Sequence, residues 1–374
     1  MTDRTSIPGT ASDHTRRLYT LLIFAALALV TIVVIVSAYL RLAGSGLGCA
    51  EWPACYALIR SQGGTTALAA AHLVPPWATV THRLAASTLG LLVLGIVAAA
   101  LRRRREPGQS LAIPFALLAL TVFLSLLGYR TPSPLAPWVA LSNLLGGMAM
   151  LAMLWWLGQR SLLMNRVSEP TPPKENGARA ARHGSPPSSL EGEGMGMRGY
   201  ERQVGADSKN APACRLRPWA LLGIFIVFLQ IALGGWVSAN FAALACTDFP
   251  GCGHFPWLDG PWRESFNLLR TLPVTDGGAV IVGDTGKMIH LAHRAGALLV
   301  ILYIGWLGGR ALAAGAATRA TAVAMLALLT LQILLGISAV VFGLPLAVVT
   351  LHNAVAALLL LSVVNLFHLL KPEK

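Results

Sequence analysis

The chain has 374 residues, of which 55% are hydrophobic and only 12% charged, too apolar a composition for a protein that must cover its surface with polar groups. An ordinary soluble domain is thereby excluded, and the lipid bilayer becomes the expected solvent. The formal net charge of +13, from 29 basic and 16 acidic residues, reads as the orientation record of a membrane protein and not as a nucleic-acid surface.

A tail, residues 1–17, carries Arg16 and Arg17 and precedes the first apolar run, Leu18–Tyr39. That run is long enough to cross a hydrocarbon core of about 30 Å. It lacks a small-residue cleavage site, so it reads as a retained helix and not as a signal peptide. The following loop holds Cys49-Ala-Glu-Trp-Pro-Ala-Cys55. A second helix, Ala78–Leu101, opens on Thr81-His82-Arg83 and ends in the basic run Arg102 to Arg105. Leu111–Leu127, the shortest, and Trp138–Leu157 complete a four-helix half over residues 18–157. Residues 158–217 then change character: Thr171-Pro-Pro-Lys174 and Ser185-Pro-Pro-Ser-Ser189 mark a segment that cannot bury a core and reads as a disordered cytoplasmic linker. The second half, 218–370, holds Leu221–Ser238, the loop Cys246-Thr-Asp-Phe-Pro-Gly-Cys252, Met288–Leu307, Thr321–Phe342 and Leu346–Leu366.

The loop motif (Cys, any residue, acid, aromatic, Pro, any residue, Cys) thus occurs in both halves, as does a His-Arg pair opening the next helix, His82-Arg83 and His293-Arg294. The expected fold is all-α: eight transmembrane helices as two pseudo-symmetric four-helix bundles, duplicated in parallel. With eight alternating spans the basic clusters share one side, so the positive-inside rule places both termini in the cytoplasm of a cell whose outer loops face an oxidising space. The close cysteine pairs there predict the disulfides Cys49–Cys55 and Cys246–Cys252. A four-cysteine zinc site is the rival reading, disfavoured by the C-x5-C spacing. Cys214, in the linker, reads as an inert thiol.

Histidines inside spanning helices are costly and are functional candidates. His293, about one turn into its helix, and His352, about two turns into the last one, fall at matched depth, as two axial ligands of a six-coordinate haem iron require. Placement alone also admits zinc, a proton relay, or a hydrogen bond to a neighbouring helix. Arg294 and Arg83 are placed to meet carboxylates at the interface. His290 shares a face with His293 and would tune or orient a ligand. His72, His183, His254 and His368 read as solvated surface histidines.

Arg41-Leu42, Ser45-Gly-Leu-Gly-Cys49, Trp52-Pro53 with Cys55, His82-Arg83, His293-Arg294 and His352-Asn353 together resemble the heme A synthase family of cytochrome oxidase assembly proteins. The resemblance covers nearly all of both halves. It implies a multi-pass protein of the bacterial cytoplasmic membrane that binds haem b in the C-terminal half. It also implies oxidation of the C8 methyl of haem O, the substrate, to the formyl of haem A. His293 and His352 would be the axial ligands, and His82 a catalytic ligand in the substrate half. Arg41, Arg83, Arg294 and His290 would assist cofactor binding, and Gln230 and Gln332 would contribute hydrogen bonds. Implied partners are a protohaem farnesyltransferase, terminal oxidase assembly proteins and membrane lipid, with no nucleic acid; a homo-oligomer is compatible. The family's second histidine on helix 4 is missing here, its place taken by Asn143 or Ser142, and Thr79 stands where the family has Glu. A haem-b-binding assembly factor or electron-transfer cytochrome without catalysis is therefore the alternative. A transporter is a third reading, disfavoured by the lack of broken helices.

Overall fold

The computed structural model describes residues 9–44, 76–106, 108–129, 136–168, 215–248, 251–252, 259–273 and 280–371. The long helices are α1 (Gly9–Gly44), α2 (Pro76–Arg102), α3 (Ala112–Tyr129), α4 (Pro137–Ser168), α5 (Arg217–Ala239), α6 (Gly283–Ala313), α7 (Ala316–Val341) and α8 (Leu346–Leu369). A 3-10 turn, Ala242–Leu244, and one α turn, Trp262–Ser265, lie between α5 and α6, and no β-strand occurs among the described residues. The all-helical class follows from the solvent: hydrocarbon offers no hydrogen bonds, so each segment must satisfy its own backbone. Seven of these helices are long and apolar enough to cross a membrane, and the apolar stretch of α3, Ala112–Leu127, is shorter. Leu84, Leu91, Phe225, Leu302 and Val341 are 64–69% exposed, the outward apolar face that lipid and not water requires. The protein is a multi-pass membrane protein.

α1 packs on α2 and α4, with α3 touching both α2 and α4; α5 packs on α6 and α8, with α7 touching both α6 and α8. The two groups meet along α4–α5, α4–α8 and α1–α8. One apolar core continues through both, from Tyr19 and Ile23 through Met148 and Leu154 to Ile304 and Leu360.

Several helices outrun their apolar stretches. α1 begins at Gly9, α4 continues to Ser168, and α6 begins at Gly283 instead of Met288, which puts His293 deeper in its helix than one turn. Hydropathy marks only the part in hydrocarbon, whereas polar first turns persist at the interface. In α6 an Asp284 carboxylate sits near the helix N-terminus and accepts from Lys287 Nζ at 2.9 Å.

The turn from α7 to α8 is tight. Gly343 (φ 66°) and Leu344 (φ 62°) are both left-handed, and the Leu344 N–H donates to the Ala339 carbonyl at 2.7 Å. A left-handed leucine costs about 1–2 kcal/mol. Burial of its side chain beside Leu42 and Ala339 offsets this.

At the end of the bundle that carries the α2 C-terminus, Arg103 is 2% exposed. Its Nη2 donates to Glu106 Oε2 at 3.0 Å, Arg16 Nε donates to the same oxygen at 3.1 Å, and the Arg103 guanidinium lies 4.8 Å over the Tyr19 ring. Burial pushes the Glu106 carboxyl upward, but the hydrogen bond and charge of Arg103 and then the charge of Arg16 outweigh it, so its pKa lies below the ordinary value. A carboxyl lowered on folding stabilises above its unfolded pKa, and that contribution is lost as pH falls through the folded value. Glu106→Gln is expected to lower the thermal unfolding midpoint at pH 7 by about 1–3 kcal/mol equivalent, because it strands a buried guanidinium. The deficit should shrink as pH falls through the folded pKa of the wild-type carboxyl, which lies below the ordinary value; a deficit independent of pH would refute the ion-pair explanation.

Candidate functional site

α6 and α8 carry the histidines, and α5 and α7 supply their surroundings. Gln230 Nε2, from α5, donates to the His293 carbonyl at 2.9 Å and lies 3.0 Å from His293 Nδ1. Gln332 Nε2, from α7, lies 3.0 Å from His352 Nε2. One turn beyond each glutamine is a glycine. A Cβ added at Gly234 would come within 3.0 Å of His293 Cε1, and one at Gly336 within 3.2 Å of His352 Cε1. Each imidazole therefore rests against a Gln-x-x-x-Gly face of the preceding helix, where the missing methyl leaves room for the ring.

His293 lies within electrostatic range of both His290, one turn before it on α6, and His352 on α8. His290 is buried and hydrogen-bonded to the backbone of Ala242. Around them the buried atoms His290 Nδ1, His352 Nδ1, Gln230 Oε1 and Gln332 Oε1 have no protein partner. Unpaired buried polar atoms are expensive, and each imidazole has such atoms beside it, as a residue that binds a polar or metal-bearing ligand requires.

Gly234→Ala and Gly336→Ala are each expected to cost about 1–2 kcal/mol, through overpacking against the ring. Gly305→Ala, with nothing within 4 Å of the added Cβ, is expected to be neutral or stabilising. Thermal unfolding of the three variants checks this, and equal midpoints would refute the close approach.

The other expected site residues fall elsewhere. Arg294 turns to the loop joining α5 and α6. Its Nη1 donates to the carbonyls of Asp248 (2.6 Å) and Gly251 (2.5 Å), and its Nη2 to that of Cys246 (2.6 Å). The same loop is closed by the Cys246–Cys252 disulfide, so side chain and covalent bond clasp one segment against α6. Arg41, at the end of α1, donates through Nη2 to Asn353 Oδ1 at 3.3 Å and so reaches from one helix group to the neighbour of His352. His82 and Arg83 lie on α2 in the other group, half-buried and exposed respectively, with Thr79, Ser142 and Asn143 half-buried. Cys49, Cys55, His72, His183, Cys214 and His254 lie outside the described residues. His368 is not a solvated surface residue: it is 7% exposed and edge-on to Trp156 at 5.3 Å. Because α8 continues to Leu369, this last-turn side chain is packed against α4 and does not lie on a frayed end.

The glycine partners were missed from sequence, although Gln230-Ile-Ala-Leu-Gly234 and Gln332-Ile-Leu-Leu-Gly336 repeat one spacing and could have been found from it. The link from Arg41 to Asn353 had no sequence signal, since it joins residues 312 apart.

Residues 20–185 and 195–364 match the family described as cytochrome oxidase assembly protein. A heme A synthase of Shewanella oneidensis is 31% identical over 367 residues, covering 94% of this chain and 96% of that protein. On both grounds, the chain belongs to the cytochrome oxidase assembly protein family.

Proposed function

We propose that this protein is a heme A synthase, an intramembrane oxidoreductase that converts the C8 methyl of haem O to the formyl of haem A for cytochrome oxidase assembly. The single observation that carries this reading is the pair His293 and His352, each backed by a glutamine and a glycine on the preceding helix and ringed by unpartnered buried polar atoms. The name of the relative points the same way. These residues fit a haem: the two imidazoles on separate helices would hold its iron, and a glycine leaves room for each ring. Bound haem b would bring the redox chemistry that no side chain has.

The chain's own groups then orient and tune. If the Gln230 carboxamide turns its oxygen to His293 Nδ1–H, Nε2 is freed for iron and the ligand becomes more basic. His290 lies one turn before His293 on α6, buried and hydrogen-bonded to the backbone of Ala242, where it would orient or tune the ligand. Arg83, exposed on α2, is the cation offered to a carboxylate, while Arg41 reaches Asn353 and Arg294 holds the α5–α6 loop. In this reading α3 is the eighth span, and the two helix groups are pseudo-symmetric halves; the linker between them is shorter than 158–217, because α4 continues to Ser168 and α5 begins at Arg217. The packing pattern supports it, since exchanging the groups maps α1–α8 onto α5–α4 and leaves α4–α8 in place. Both termini, including the tail 1–17, lie in the cytoplasm of a bacterial cell. Haem O, delivered by a farnesyltransferase, would be held in the first half near His82, and the product would pass to terminal oxidase assembly.

One observation favours a second reading, a haem-b protein without catalysis: α4 offers Ser142 or Asn143 where a second histidine would stand, and neither binds haem iron well. Expression in a host that makes haem O but not haem A separates the two. Haem A in the membranes is the expected result. A haem B-loaded protein with no haem A would establish the second reading, and colourless, folded protein would overturn both.

A further inference from the structure

At the bundle end away from His293, α4, α5 and α8 meet, and three cations converge there. Trp156 and Phe367 stack at 5.4 Å between centroids. Lys371 Nζ sits 4.4 Å over the Trp156 ring, and the Arg217 guanidinium 4.6 Å over that of Phe367. Arg160 completes the group, spending Nη2 on the Gly108 carbonyl at 2.9 Å. Lys371 is held below the usual ammonium pKa by burial and then by the charges of Arg160 and Arg217, so these groups feel one another. His368 is buried among them with Nδ1 unpartnered, and Arg217 Nε is likewise buried and unpartnered.

No ion pair among the described residues involves Arg160, Arg217 or Lys371. The contrast with Arg16 and Arg103 is instructive, because those two share Glu106. Basic residues scattered at a membrane edge record orientation, but such residues point outward into water. Here three cations from both helix groups face one another over an aromatic floor, a repulsive arrangement that an anion would relieve.

We propose that Arg160, Arg217 and Lys371, with His368 beneath them, form a binding site for a phosphate oxyanion at the seam between the two helix groups, and that an anionic phospholipid headgroup supplies it. Basic pockets between transmembrane helices take such headgroups. The site does not depend on the reaction proposed above.

The test uses the full-length, delipidated protein in neutral detergent, with thermal unfolding followed against added dioleoylphosphatidylglycerol, dioleoylphosphatidylcholine or inorganic phosphate. Phosphatidylglycerol is expected to raise the midpoint by several degrees and phosphatidylcholine to leave it unchanged, as mass action requires of a ligand bound only by the folded state. An equal shift from millimolar inorganic phosphate would support the site but make free phosphate its ligand. In Arg217→Gln/Lys371→Gln the apparent affinity should fall by about ten-fold or more, while the lipid-free midpoint rises because repulsion is removed. Arg310→Gln/Arg319→Gln, which removes exposed charges from the ends of α6 and α7 facing one another, should keep the full response. Should the double variant not fold, Arg160→Gln carries the same test. No response from the wild type, as when acids of the 169–214 segment already supply the anion, would overturn the proposal. An equal loss in the Arg310/Arg319 variant would also overturn it.

Discussion

Alanine in place of either His293 or His352 is expected to remove the low-spin Soret spectrum of the purified protein and to lower its haem content by about ten-fold or more, since each imidazole would hold one of two axial positions. A single remaining ligand would leave the iron five-coordinate and high-spin, so the spectrum would report a lost bond even where some haem stays. Gln230→Ala and Gln332→Ala should behave differently. They remove a hydrogen bond to an imidazole and not the imidazole itself, and measured effects of such outer-shell partners run to about 10–100-fold in metal affinity. Haem should therefore be weakened and its potential moved, with the low-spin signature kept. An unchanged low-spin spectrum in His293→Ala or His352→Ala, from material that folds, would sink the ligand assignment.

The second large effect belongs to Arg294. Its guanidinium donates to the carbonyls of Cys246, Asp248 and Gly251, and charged hydrogen bonds are worth about 1.5–3 kcal/mol each without being additive. Arg294→Met is expected to lower stability by roughly 3 kcal/mol, and Arg294→Lys to recover only a part, because an ammonium cannot serve that fan of acceptors. The disulfide closes the same loop and by chain entropy is worth about 2 kcal/mol. Cys246→Ser/Cys252→Ser should thus be destabilising alone and strongly non-additive with Arg294→Met. Additive losses in thermal unfolding would show that side chain and disulfide act on different structures. A purely haem-directed arginine would lose haem affinity with no change in the stability of the haem-free protein.

Much of this was legible in the sequence because a bilayer simplifies the problem. Apolar runs announce helices, and the ionisable residues within them stand out: His293 and His352 could be singled out, and the structure sets each against a glutamine of the preceding helix. The Cys246–Cys252 pair was equally plain from its spacing and compartment. What hydropathy could not give were the polar ends of helices, hence the early start of α6, because interface residues obey capping and ion pairing and not burial. Nor could it give which neighbour each side chain meets. Arg294 follows a histidine in sequence and was read as a cation for a carboxylate, yet its long stem carries the charge to loop carbonyls instead. His368 looked like a terminal surface residue until α8 proved long enough to pack it on Trp156.

The left-handed pair Gly343 and Leu344 sets the phase of the last hairpin. An α-helix turns about 100° per residue. One residue inserted between Phe342 and Pro345 would swing His352 a quarter-circle and more away from Gln332, whereas the same insertion in a long exterior loop would leave both where they are. Chain length is thus fixed at that corner by angular registration, and natural variation there should run to changes of side chain with the residue count held constant.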